Sequence, residues 1–323
     1  MGAVSQFMET NYKHFNARET LAAAKAWKAL LDKGGKMFIT LAGAMSSAEL
    51  GISLGQMIRA GKVHAISCTA ANLEEDLFNL FDNHSYEVVP NWRELTAEME
   101  RDLRDRGFNR VTDTCIPETV MLKAEATLLD IWKQADKNGT RKFMCEYFFD
   151  MLDRPEIKQH FAIPAEHSWV LAAKEMQVPI FSPGFEDSTL ANKFTAMVMD
   201  GRLSSHSLIK SGTEIMHVLA EWYMAQADAG TPVGFFQIGG GIAGDFPICT
   251  VPMLIQDLHK DDTPFWAYFC QISDAVTSYG GYSGANPSEK ITWYKLDVDT
   301  PRFMINSDAT IVAPLIFAYV MDW

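Results

Sequence analysis

Apolar residues follow two rhythms along this chain. From Thr20 to Gly35 (TLAAAKAWKALLDKGG) they recur every three to four positions, the stripe that an amphipathic helix buries, and Gly34 and Gly35 stop it. Asn16-Ala-Arg-Glu19 just ahead has the form of a capping box, so the chain opens with a helix. Elsewhere the apolar residues stand in short unbroken runs: MFITLA (Met37 to Ala42), VHAISC (Val63 to Cys68), VPIFSP (Val178 to Pro183), VGFFQI (Val233 to Ile238) and FWAYFCQI (Phe265 to Ile272). Runs of this length read as strands covered on both faces. Between them lie helical stretches: one capped by Ser46-Ser-Ala-Glu49 and stopped by Gly61, one at LEEDLFNLF (Leu73 to Phe81), one near Leu190 to Met199 and one near Pro247 to Leu258. Strands and helices alternating at this spacing predict a doubly wound α/β fold with a mainly parallel sheet. Residues 1–35 form a helical N-terminal segment, and about Pro90 to Glu175, mainly helical and polar, forms a cover over the sheet. With no Pro/Ser-rich linker and no repeat of fixed period, a single domain over residues 1–323 is expected.

Composition adds exclusions. With 48% hydrophobic and 21% charged residues, the chain has what a buried core needs. No apolar run reaches the roughly 18 to 20 residues of a membrane span, and the opening MGAVSQFMETNYKHFN lacks the build of a signal peptide, so a cytoplasmic protein is expected. A formal charge of −13 repels phosphate backbones and argues against nucleic acid as a partner; it would welcome a cation. The five cysteines stand far apart without ligand spacing, so they read as reduced structural thiols, and no metal site is expected.

Three strand ends carry candidate chemistry. Gly239-x-Gly241-x-x-Gly244 follows VGFFQI, the context in which a glycine turn lets backbone N–H groups approach a pyrophosphate in a Rossmann-like sheet; it also serves any tight strand-to-helix turn. Thr69-Ala-Ala-Asn-Leu-Glu-Glu-Asp76 and Glu186-Asp187-Ser188-Thr189 follow two other strands. They read either as ligand-facing residues at the sheet's carboxyl edge or as helix caps. Finally, a glycine- and aromatic-rich stretch runs from Ser278 to Lys295. A lysine two residues from Trp293, held against an indole, would lose its proton readily and become nucleophilic; the alternative is a surface lysine whose stem lies on a ring.

Taken together, these landmarks resemble the deoxyhypusine synthase family from about Met37 to Met321. The resemblance rests on Ser46-Ser47, Thr69-Ala70 with Glu74-Glu75-Asp76, Phe181-Ser-Pro183 with Asp187, Gly239-Gly-Gly241, and above all Ser283-Gly-Ala-x-Pro-x-Glu289-x-x-x-Trp293-x-Lys295, followed by Asp299 and Ser307-Asp308-Ala309. In that family NAD oxidises spermidine, diaminopropane leaves, and the aminobutyl remainder is held as an imine on a lysine before transfer and reduction. The resemblance implies that Lys295 is this lysine and that Trp293 and Glu289 line the amine pocket. It implies an NAD site lined by Ser46, Thr69, Ala70, Glu75, Asp187, Gly239, Gly240, Gly241 and Asp308, and a homotetramer with active sites at subunit interfaces.

The chain departs from the family's protein-modifying members at the pocket. After the triple glycine those members carry a hydrophobic pair, a lysine and two histidines, whereas this chain reads Ile242-Ala-Gly244-Asp245-Phe246, with Asp245 in place of the first histidine. Tyr279 and Tyr282 replace two expected carboxylates and Asn192 a third. A tyrosine offers a hydroxyl and a π face instead of a charge. Asp245 is positioned to pair with an acceptor amine or take its proton. The expectation is an aminobutyl transferase acting on a free amine such as putrescine, ahead of one acting on a protein lysine or a noncatalytic NAD-binding relative.

Overall fold

The computed structural model describes residues 1–159, 161–277 and 281–323. Nine strands occur among them: β1 (Lys36–Leu41), β2 (Ala65–Cys68), β3 (Glu87–Val88), β4 (Phe108–Val111), β5 (Thr114–Pro117), β6 (Ile180–Phe181), β7 (Val233–Ile238), β8 (Tyr268–Ser273) and β9 (Arg302–Asn306). Six form a sheet in the order β6-β2-β1-β7-β8-β9, every pair parallel. The five apolar runs all lie in it. β1, β2, β7 and β8 are buried along nearly their whole length, because helices cover both faces.

Alternate residues of each strand feed two cores. On one face Phe38, Phe235 and Phe269 stack across β1, β7 and β8, with ring centroids 5.5 and 6.1 Å apart. Ala65, opposite Phe38 on β2, leaves the space across which Phe38 meets Phe181 at 6.0 Å. On the other face Trp27, from the helix Phe15–Asp32, lies 4.7 Å from Phe236 and 5.9 Å from Phe317 of the helix Ala309–Val320. Aromatic contacts at these separations add specific geometry to the area they bury.

Several local expectations change. A helix Ala3–Asn11 precedes the one expected at the N-terminus. Asn16 is no cap: it lies in the first turn of the helix Phe15–Asp32 and exchanges hydrogen bonds with Asn306 at the end of β9, while the Glu19 carboxylate accepts from the Met304 backbone. Tertiary pairing with an edge strand has taken over the polar groups a cap would use. Ser46 does not cap a helix either, since residues 43–50 are turns and the helix is Gly51–Arg59. The cover from Pro90 to Glu175 is mainly helical but includes β4 and β5, which with β3 form a three-stranded antiparallel sheet. The last expected helix starts earlier, at Ile242, and runs on through Thr250–Pro252 into a π turn Met253–Asp257.

From β1 the chain passes to β2 and β6 on one side; β7, β8 and β9 lie on the other. The sheet therefore reverses direction between β1 and β7, and their carboxyl ends diverge there into a crevice, the position where open α/β sheets bind ligands.

Candidate functional site

The crevice at that switch point is a cleft of about 500 Å³. Its walls come from four strand ends: Ala42, Gly43 and Met45 after β1; Gly239 and Gly240 after β7; Ser273 and Asp274 at the end of β8; Ser307, Asp308 and Ala309 after β9. Gly239 and Gly241 have φ of 75° and 67°, a region open to glycine without strain. A side chain at Gly239 would stand 2.9 Å from Ala42 Cβ, so the two strand ends approach as closely as backbone allows. The Gly239 carbonyl accepts from Gln237 Nε2 (3.2 Å) and Gln271 Nε2 (3.1 Å), which fixes the turn from below. Asp308 caps the helix Ala309–Val320 at the opposite rim through Thr310 N (2.7 Å).

On the β1 side the loop is held by Asn72. Its amide donates to the carbonyls of Leu41, Ala42 and Gly43, and its oxygen accepts from Ser46 N. Ser46 is buried, its Oγ donating to Asn72 O at 2.7 Å and accepting from Trp169 Nε1 at 2.9 Å. Thr69 caps the helix Ala70–Asp82 and donates to Gly43 O at 2.9 Å. Ala70 is buried beneath it.

The acidic run after β2 divides its labour. Glu74 caps the helix Thr189–Met199, accepting from Thr189 N and Leu190 N at 3.0 and 2.9 Å. Asp76 caps the helix Trp169–Glu175 through Trp169 N, Val170 N and Ser168 Oγ. Both carboxylates thus serve as helix caps, each for a helix distant in sequence. Glu75 is different: its Oε2 is buried without a hydrogen-bond partner among the described residues, and burial pushes its carboxyl from 4.5 up to about 7. Burial likewise raises Asp76 to about 6.

A carboxyl that binds its proton more tightly when folded stabilises the protein fully below its unfolded value, and that stabilisation is lost as pH rises through the folded value. Between about pH 5 and about pH 8, Glu75→Gln is therefore expected to lose less stability than the native chain, by about 1–3 kcal/mol. Denaturant melts of the cofactor-free protein at both pH values check this; equal losses in the two proteins would contradict it.

The second cavity, about 250 Å³, lies between the helix Ile242–Ile248 and the segment 282–295. It is lined by Asp245, Cys249, Tyr282, Ala285, Glu289, Lys290, Trp293 and Lys295. Tyr294, at φ 56°, turns the chain between Trp293 and Lys295. Lys295 is then anchored on both sides, its N–H donating to Lys290 O (3.0 Å) and its carbonyl accepting from Trp266 N (3.2 Å) ahead of β8. Its Nζ lies 5.9 Å from the Trp293 ring centroid. Trp293 and Tyr282, 63% and 66% exposed, form the rim. Glu289 closes a capping box with Asn286 N at 3.2 Å. Burial raises the Asp245 carboxyl, while Lys295 and Lys290 pull it back.

The walls of the two cavities meet at Gly240. A Cβ there would stand 1.7 Å from Ser283 Oγ, so only glycine lets the turn of the first cavity pack against the segment that walls the second. Asp187 and Asn192 line neither cavity; both are exposed, Asp187 in the turn after β6 and Asn192 on the helix Thr189–Met199. Tyr279 lies outside the described residues. Among the described residues no group of His, Cys, Asp and Glu is arranged to hold a metal ion, and no helix is long and apolar enough to cross a membrane.

The family model described as deoxyhypusine synthase matches residues 4–320. The chain belongs to the deoxyhypusine synthase family. Members of this family are NAD-dependent aminobutyl transferases that draw on spermidine. The chain is 29% identical over 305 residues to a deoxyhypusine synthase-like protein of Nostoc punctiforme, covering 91% of this chain and 73% of that one. It is 30% identical over 293 residues to another of that description from Thermosynechococcus vestitus, covering 88% and 69%. A solved structure from Entamoeba histolytica, described as a candidate deoxyhypusine synthase, superposes with a TM-score of 0.60 at 12% identity, covering 98% of this chain and 92% of that one; this is likeness of fold.

Sequence reasoning passed over four residues of this deoxyhypusine synthase-family site: Gln237, Gln271, Asn72 and Lys290. The glutamines had a legible signal, a polar residue near the carboxyl end of a strand otherwise apolar. Asn72 lay within a segment already singled out. Lys290 stood next to Glu289, already assigned to the amine pocket, but fell on an unspecified position of the motif Glu289-x-x-x-Trp293-x-Lys295.

Proposed function

We propose that this chain takes the aminobutyl group of spermidine through an imine on Lys295 and passes it to a free amine such as putrescine, forming homospermidine. The observation that carries the reading is the close packing of the glycine turn of the larger cavity against the segment that walls the smaller one, at the Gly240–Ser283 contact, with Lys295, Asp245 and Trp293 around the smaller one. The glycine turn, with φ values and a close strand approach that a Cβ would spoil, suits a pyrophosphate. Gly239, Gly240, Gly241 and Asp308 would hold NAD directly. Thr69, Ala70 and Ser46 would shape its loop, and Glu75 would support it from behind. Bound NAD would take a hydride from the donor and return it at the end of the cycle.

The chain's own residues do the rest. Lys295 must attack as a neutral amine, and the carbon–nitrogen bond it forms replaces the one that held diaminopropane. Trp293 walls the donor chain and limits water at the rim. Asp245, a half-buried carboxyl facing both lysines, would take the proton from an incoming ammonium so that the free amine can displace Lys295. An aspartate at this position, rather than the histidine of the protein-modifying members, supports a small acceptor over a protein lysine. Asp187 and Asn192, exposed and outside both cavities, would serve a neighbouring subunit's site in a homotetramer. The protein would act on small polyamines in the cytoplasm.

Mass spectrometry of products from protein, NAD and spermidine, with and without putrescine, tests the reading. Diaminopropane together with homospermidine is the expected result. Aminobutyl groups found only on protein lysine would favour the second reading, and NAD binding without any diaminopropane would sink both.

A further inference from the structure

The smaller cavity holds a second lysine for which the reaction above has no use. Lys290 lines it beside Lys295, and its carbonyl accepts the Lys295 N–H at 3.0 Å, so both lysines are fixed in one tight turn. Its Nζ stands 4.7 Å from the centroid of Phe269, the last ring of the stack across β1, β7 and β8, a cation–π contact that holds the head at the cavity wall. Among the described residues neither lysine makes an ion pair. Asp245 and Glu289 are the carboxylates on the same wall. Glu289 already accepts from Asn286 N, which leaves Asp245 facing two cations. Burial, with Lys295 near by, brings Lys290 down to about 8, so it remains mostly protonated at neutral pH.

A cavity built only for polycations would have no reason to place a second, partly buried ammonium in its wall with no carboxylate in ion-pair contact, because a partly desolvated cation is costly until an anion meets it. We infer that Lys290 receives the anionic end of the acceptor, and that the acceptor is an amine carrying a carboxylate rather than a plain diamine. The carboxylate would pair with Lys290, the acceptor's amine would point to Lys295, and Asp245 would remain free to take the amine's proton. This rests on the aminobutyl-transfer reading and replaces putrescine with an amino acid as the preferred acceptor.

The experiment compares putrescine with 5-aminopentanoate, which keeps the same four-carbon spacing and replaces the second amine with a carboxylate. Each is offered to the native protein with NAD and spermidine, and the readout is the ratio of kcat/KM for the two acceptors, in which any change common to both cancels. The native ratio is expected to favour 5-aminopentanoate by about tenfold or more, Lys290→Gln to bring it to about one or below, and Lys290→Arg to restore the preference in part. A native preference for putrescine, or a ratio unchanged in Lys290→Gln, would overturn the inference. Absence of diaminopropane in every reaction is a separate outcome: it overturns aminobutyl transfer itself, and the acceptor assignment with it.

Discussion

Lys295→Ala is expected to lower diaminopropane release from spermidine by about a thousandfold or more while leaving NAD affinity within about threefold. The reason is covalent. In the proposed reaction the residue supplies the nitrogen on which the aminobutyl group is parked, and among the described residues no other amine stands at the same point of the cavity. Lys290 does not replace it, because its Nζ lies over the face of Phe269, 4.7 Å from the ring centroid, away from the point that Lys295 occupies beside Trp293. Lys295→Arg should fail as completely as alanine, since a guanidinium stays protonated and cannot attack. Isothermal titration with NAD alongside product analysis separates the two quantities. Loss of both NAD binding and turnover would mean that Lys295 holds the structure together.

Gly240→Ala should weaken NAD binding by about tenfold or more and bring turnover down with it. The added methyl would stand 1.7 Å from Ser283 Oγ and 2.7 Å from Ser283 Cβ, which moves only with the backbone. Rotating the serine side chain relieves the first contact; the second requires the backbone to move. The glycine turn and the segment bearing Lys295 must then part, so one small change is felt in both cavities. A companion substitution, Gly241→Ala, meets nothing within 4 Å and is strained only through its φ of 67°. It should cost less, and the difference isolates the contact with Ser283. Equal effects from the two substitutions would contradict a distinct role for the Ser283 contact.

How much of this was legible depended on what each residue's partners were. The buried strands announced themselves because helices on both faces demand unbroken apolar runs. β9 did not: RFMIN is only partly buried at the sheet's edge, and its apolar content is diluted accordingly. The antiparallel β4–β5 pair was hidden because its strands, FNRV and TCIP, are too short to show a period and its turn places Thr112 at φ 57°, where glycine or asparagine is the usual signal. Asn16 and Ser46 had the right types for caps, yet distant partners, Asn306 and Asn72 with Trp169, claimed their polar groups. Lys295 and Trp293 could be paired from the sequence because they are two residues apart. The Lys290–Phe269 contact could not, since the two stand twenty-one positions apart and meet only through the packing of β8.

The most direct measurement of the central claim is borohydride trapping. Protein is incubated with spermidine and NAD, reduced, digested and mapped by mass spectrometry, with omission of NAD as the control. An aminobutyl adduct on Lys295, present only when both spermidine and NAD are supplied, is the expected result. An adduct on Lys290 instead, or none on a protein that binds NAD, would contradict the account.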